Sequence, residues 1–124
     1  MAGTAKEPRF AVRVEERWLS DDLEHASDAG NAALGPAIEE LQSEGVAADS
    51  LRPCEDDGRD GTQLGGCTKL YIPEPAGQWG AVFTIDREAS KVALVVLAVG
   101  ERHPSAPGRP SVYEVADRRL HSSG

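Results

Sequence analysis

The sequence predicts a single α+β domain: two N-terminal helices packed on an antiparallel β-meander, with a short helix closing the C-terminus. Three observations predict it. An alternating apolar stretch near the start is followed by two apolar stripes of helical period. The second half carries three strand-like runs with turn-forming residues between them. A Ser-x-x-Glu signature then opens the last apolar stripe, as a helix start does. A length of 124 residues suits one domain. A composition of 40% hydrophobic and 27% charged residues supports a folded core.

Phe10, Val12 and Val14 alternate with Ala11 and Arg13, the pattern of a half-buried strand. The tail before it, residues 1–8, is expected to fray. Trp18, Leu19, Leu23 and Ala26 fall at helical spacing, and Asp28-Ala29-Gly30-Asn31 breaks the pattern. Ala33, Leu34, Ala37, Ile38 and Leu41 form a second stripe, closed at Glu44-Gly45. Gly35-Pro36 lies inside this stripe, and proline is tolerated best in a first turn, so the second helix is expected to start late. Residues 46–66 read as a connection, with a flexible acidic loop over residues 52–66. Asp56, Asp57 and Asp60 in that loop do not have the spacing of a calcium-binding loop.

Thr68 to Ile72 is the first strand of the meander, and Pro73 to Gly77 is a turn by composition. Gln78 to Asp86 follows, with Trp79, Ala81, Phe83 and Ile85 on one face. Lys91 to Val99 is apolar on both faces, as a central strand is. Ser105 to Pro110 is a Pro/Gly loop. Ser111 and Glu114 form a capping box, and Val112, Val115, Ala116 and Leu120 are the buried stripe of the last helix.

The net charge is −8. Residues 1–66 hold 15 acids against 6 bases, whereas residues 67–124 hold 6 acids against 7 bases. Acidity of this size disfavours a generic nucleic-acid binder. Two readings of the asymmetry stay open: a solvated acidic surface on the N-terminal helices, or basic residues of the C-terminal half gathered where a phosphate backbone could sit. No apolar run approaches the ~18 residues of a membrane span, so no membrane partner is expected. The first nine residues lack a signal-peptide core, which makes a cytoplasmic location the expectation. Cys54 and Cys67 are then expected to be free thiols, and a bridge across their 12 intervening residues stays open. No P-loop, Ser-His-Asp arrangement or metal-ligand spacing is visible, so neither a cofactor nor a metal is expected.

The C-terminal half is the most specific part of the sequence. Val99-Gly100-Glu101-Arg102 ends a hydrophobic strand, and Ser111-Val112-Tyr113-Glu114-Val115-Ala116-Asp117-Arg118-Arg119-Leu120 follows a short loop. Lys69-Leu70-Tyr71 and Gln78 to Asp86 precede them. Over residues 68–120 this pattern resembles the RelE/ParE superfamily of toxins from bacterial type II toxin–antitoxin systems. The resemblance over the first half is one of element order alone.

The resemblance implies a RelE-like fold and, for the RelE-like branch, metal-independent cleavage of mRNA on the ribosome. The RNA 2′-hydroxyl attacks the adjacent phosphate, so the protein aligns the nucleophile, stabilises a pentacovalent phosphorane and assists proton transfer. On this reading Lys69, Arg102 and Tyr113 are the catalytic residues. Arg87, His103, Arg118, Arg119 and His121 are expected to contact RNA, with the two histidines also suited to proton transfer. A cognate antitoxin protein is the implied protein partner.

One position departs from the family pattern. Gly80 follows Trp79 where active members carry an arginine. A second reading therefore stays open, in which the fold is kept and its surface binds a protein: an antitoxin, a gyrase-like target or another regulatory partner. Each candidate also has a plain structural alternative. Lys69 can be an exposed strand residue, Arg102 can pair with Glu101 or Asp117, Tyr113 can pack under the sheet edge, and Trp79 can be core.

Overall fold

The computed structural model describes residues 9–54, 64–72, 77–86, 93–104 and 108–121. Its described elements are β1 (Arg9–Val14), α1 (Glu16–His25), α2 (Asp28–Glu44), β2 (Val46–Ala47), a 3₁₀ turn (Ala48–Ser50), β3 (Arg52–Pro53), β4 (Thr68–Ile72), β5 (Trp79–Asp86), β6 (Ala93–Glu101) and α3 (Val112–His121). The expected tail at residues 1–8 and most of the acidic loop, residues 55–63 with Asp56, Asp57 and Asp60, lie outside the described residues.

The strands form one mixed sheet in the order β2-β1-β6-β5-β4-β3. β4, β5 and β6 are an antiparallel meander. β1 runs parallel to β6 on its far side, with Val12 opposite Leu94. That places β6 inside the sheet, and the cores packed on both of its faces account for a run that is apolar on both.

The two faces carry two separate cores. On one, Leu34, Ile38 and Leu41 of α2 pack against Val12, Leu70, Ile72, Trp79, Ala81, Phe83, Leu94, Val96 and Val99. On the other, Val112 and Ala116 of α3 pack against Cys54, Leu64, Cys67, Val82, Leu97 and Ala98. α1 joins both, with Leu19 and Leu23 against the first core and Trp18 against the second. A bulge in β6 helps build the second core. Val82 pairs with Ala98 and Phe83 with Val96, so Leu97 is an extra residue. Leu97 and Ala98 consequently face α3 together.

Several boundaries differ from the expectation. Asp28-Ala29-Gly30-Asn31 is not a break but the first turn of α2, because Ser27 caps it by accepting from the Gly30 amide at 3.1 Å. The bare Cα of Gly30 then lies against Trp79, where an added Cβ would come within 2.6 Å of the indole. Anchored upstream in this way, α2 runs through Gly35-Pro36 to Glu44. Residues 46–54 are not plain connection either. Val46–Ala47 pairs with β1 and Arg52–Pro53 with β4, giving the sheet a short strand at each edge. Cys54 and Leu64 are buried at the two ends of the described break in the acidic loop. The expected structural bounds of α3 hold. The Ser111 Oγ accepts from the Glu114 amide at 3.1 Å, and a Glu114 carboxylate oxygen accepts from the Ser111 amide at 2.9 Å. Among the described residues no helix is long and apolar enough to cross a membrane.

Candidate functional site

β4 alternates strictly. Leu70 and Ile72 point into the α2 core, so Lys69 and Tyr71 stand on the opposite, α3-bearing face. The neighbouring strand positions on that face are set by register. Arg52 lies opposite Lys69, Gly80 lies opposite Tyr71, and Gly100 lies opposite Gly80. Two glycines side by side leave a shallow trough across β5 and β6.

Arg102 fills that trough. Its amide donates to the Gln78 carbonyl at 2.8 Å, which extends the β5–β6 pairing past Glu101. Its side chain then turns back over Gly80, where an added Cβ would lie 3.1 Å from the Arg102 Cγ and 3.2 Å from the Leu70 carbonyl oxygen. The guanidinium ends 3.7 Å from the centre of the Tyr71 ring. Nη1 donates to the Gly77 carbonyl at 2.7 Å, and Nε donates to the Tyr113 hydroxyl at 3.1 Å.

Tyr113 is delivered by the capped first turn of α3, whose Val112 lies over Gly100. The Lys69 Nζ is 5.2 Å from the Tyr113 ring centre and 5.9 Å from that of Tyr71. The Arg52 guanidinium is 4.7 Å from the Tyr71 ring. Three cations and two phenol rings therefore share one patch, held by cation–π contacts and one phenol hydrogen bond. Among the described residues none of these three cations is in an ion pair. In a chain of net charge −8, three cations without an ion-pair partner among the described residues form a local concentration of positive charge.

The structure thus brings Lys69, Arg102 and Tyr113 together. It adds Tyr71 and Arg52, which sequence reasoning did not single out. Tyr71 was legible in principle, because a period of two puts it on the face of Lys69. Arg52 had no such signal, since its place depends on the pairing of β3 with β4.

The residues expected to contact RNA are dispersed. Arg87 lies outside the described residues. His103 is exposed directly after Arg102 in the chain. His121 is exposed and lies 3.4 Å from Asp117, one helical turn back. Arg118 and Arg119 are on another side of α3, lining a groove of about 400 Å³ between α1, α3 and the end of β6. Asp21, Asp22 and Glu101 line the same groove, so its charge is mixed.

Arg119 has a structural place there. Its side chain is only 11% exposed, and it meets the 7%-exposed Asp22 through contacts of 2.8 and 2.9 Å. It also donates to the Leu97 carbonyl at 2.7 Å, while Asp22 accepts from the Val99 amide at 3.0 Å. α1, α3 and β6 are tied at this point. At the rim, His25 is held by the Asp21 carbonyl at 2.8 Å, and that hydrogen bond, followed by the Asp21 charge, raises its pKa above the usual histidine value. Trp79 is buried in the α2-side core, as its plain structural reading has it.

No family model, no curated protein and no solved structure matches this chain. The patch around Arg102 and the topology that builds it therefore carry the functional argument.

Proposed function

We propose that this chain is a RelE-like toxin component of a type II toxin–antitoxin system, a metal-independent endoribonuclease that cuts mRNA on the ribosome. The single observation that carries the reading is the convergence of Lys69, Arg102 and Tyr113 within one half-buried patch free of carboxylate partners among the described residues. The meander with a parallel strand beside its last member, and a terminal helix on the opposite face from α2, supports the fold side of the proposal.

The chemistry follows from the geometry. In the cleavage step the RNA 2′-oxygen bonds to phosphorus, the bond to the 5′-oxygen breaks, and one proton leaves the 2′-hydroxyl while another reaches the 5′-oxygen. Negative charge grows on the non-bridging oxygens. Arg102 is held at Nε and Nη1, which leaves Nη2 without an acceptor among the described residues and so able to donate to a phosphate. Lys69 adds an ammonium beside it, suited to the same charge. Tyr113 accepts from Arg102 through its oxygen, so its own O–H hydrogen is free to be donated to the leaving 5′-oxygen. Arg52 over the Tyr71 ring extends the cationic patch beside Lys69, a combination of charge and aromatic surface suited to single-stranded RNA. The partners on this proposal are mRNA on the ribosome and a cognate antitoxin that neutralises the patch.

Expression of the wild-type chain and of Arg102→Ala in a bacterial host tests it. The wild type should arrest growth and leave cut ribosome-bound mRNA. The variant should lose about 2–4 kcal/mol of transition-state stabilisation, on the order of a hundredfold in rate. Equal growth and intact mRNA in both would overturn the proposal and favour the reading in which the same surface only binds a protein.

A further inference from the structure

Cys54 and Cys67 occupy facing positions in the structure. Arg52 pairs with Lys69 and Pro53 with Thr68, so one further step along the antiparallel register sets Cys54 opposite Cys67. The Cys54 amide donates to the Cys67 carbonyl at 3.1 Å, which carries the ladder to that pair. Directly opposed residues of an antiparallel ladder have Cα atoms about 4.5–5.5 Å apart, within the span a disulfide bridges. Both thiols are free and buried, and both belong to the apolar cluster beneath α3 with Leu64, Val82 and Leu97.

Their position matters for the patch described above. Counting by two along each strand puts Cys54 on the face of Arg52 and Cys67 on the face of Lys69. The thiol pair is thus two rungs along from the pair that carries two of the cations, on the same face, with Pro53–Thr68 between them. The Lys69 charge reaches Cys54, opposing in part the rise in pKa that burial and the second thiol impose.

We propose that Cys54 and Cys67 are a redox site: a cross-strand dithiol that closes to an intramolecular disulfide and locks the ladder two rungs from Arg52 and Lys69. The inference stands on the ladder and does not rest on the proposed nuclease activity. The oxidant is a low-molecular-weight disulfide of the glutathione class. The thiolate of one cysteine attacks a sulfur of that disulfide, forming a mixed disulfide and releasing one small thiol. The second cysteine thiolate attacks the protein sulfur of the mixed disulfide, forming the Cys54–Cys67 bond and releasing the second small thiol. Two electrons pass from the protein to the oxidant, and the two cysteine protons end on the released thiols. Because the thiols are buried, exchange is slow at neutral pH and speeds up as thiolate forms.

The test uses the full chain, fully reduced and then equilibrated with glutathione disulfide at alkaline pH. The expected product is a monomer lighter by two hydrogens, with a Cys54–Cys67 peptide link and no remaining free thiol. Its melting temperature should rise by roughly 10 °C, because the unfolded chain is looped. A dithiol reductant should reverse both changes. Cys54→Ala should show no such rise under the same treatment, and the wild-type comparison stands even where that variant folds poorly. Two glutathione adducts, disulfide-linked dimers, two unreacted thiols, or a link that leaves the melting temperature unchanged or lowered would each overturn the proposal.

Discussion

Gly80 lies beneath the side chain of Arg102. A Cβ at position 80 would sit 3.1 Å from the Arg102 Cγ and 3.4 Å from its Cδ. The absence of a side chain on β5 is therefore the condition under which the guanidinium from the end of β6 reaches Tyr71, 3.7 Å away. Position 80 is filled here from above by the arginine that follows β6.

This gives Gly80→Arg a definite expected outcome. The new side chain has to push the Arg102 stem aside and crowd the Leu70 carbonyl, a backbone atom with little room to move. Overpacking of this kind costs about 1–3 kcal/mol. Urea denaturation should show that loss, and on the proposed nuclease reading RNA cleavage should fall with the displacement of Arg102. A variant as stable as the wild type with faster cleavage would show instead that the trough accepts a second guanidinium.

Tyr113→Phe separates the hydroxyl from the ring. The Lys69 contact with the ring face survives, whereas the Arg102 Nε loses its acceptor. Stability should change by only about 0.5–1.5 kcal/mol. If the hydroxyl donates to the leaving oxygen, single-turnover cleavage should drop by about 10²–10⁴. Unchanged cleavage with a normal fold would remove Tyr113 from the reacting groups.

Asp22→Ala tests the tie between α1 and α3. The change removes the Asp22 carboxylate that meets the 11%-exposed Arg119 guanidinium, leaves the longer 3.4 Å contact to Asp21, and strips the Val99 amide of its Asp22 acceptor. Breaking a buried pair from one side costs about 3–5 kcal/mol. Chemical denaturation should report a loss of that order. A loss under about 1 kcal/mol, typical of surface pairs, would mean that Arg119 finds water or another acceptor.

The thiols make stability depend on alkaline pH. Burial first, and the neighbouring Cys67 second, push the Cys54 thiol up from its ordinary 9.0 to about 11, and burial raises Cys67 in the same direction. The folded state therefore holds protons that the unfolded state releases between these values. The contribution is fully present below about pH 9 and is lost as pH rises through about 11. Its size is on the order of 2 kcal/mol for Cys54. Unfolding free energies of the reduced chain should fall across this window more steeply than those of Cys54→Ala. Parallel curves would show that Cys54 ionises alike in both states.

The kinds and order of the longer elements and most residues that turn inward were determined by the sequence alone, whereas the edge strands Val46–Ala47 and Arg52–Pro53 and the helical first turn at Asp28 were not. Phe10 to Val14, Thr68 to Ile72 and Trp79 to Ile85 each carry a period of two, the stripe from Ala33 to Leu41 carries a helical period, and Ser111 with Glu114 marks a helix start. These are local signals, and local geometry decides them. Lys69, Arg102 and Tyr113 were singled out only through the family resemblance of the last strands and the final helix, not by any local periodicity. Their meeting, and the company of Tyr71 and Arg52, came from strand register, which no single segment encodes. The same holds for Asp22 and Arg119, which touch across 97 positions of chain, and for Cys54 and Cys67, whose opposition depends on β3 pairing with β4. Contacts between distant segments are chosen by the packing of two cores on one sheet, so only the tertiary structure decided which charges meet, which are buried and which remain open to a ligand.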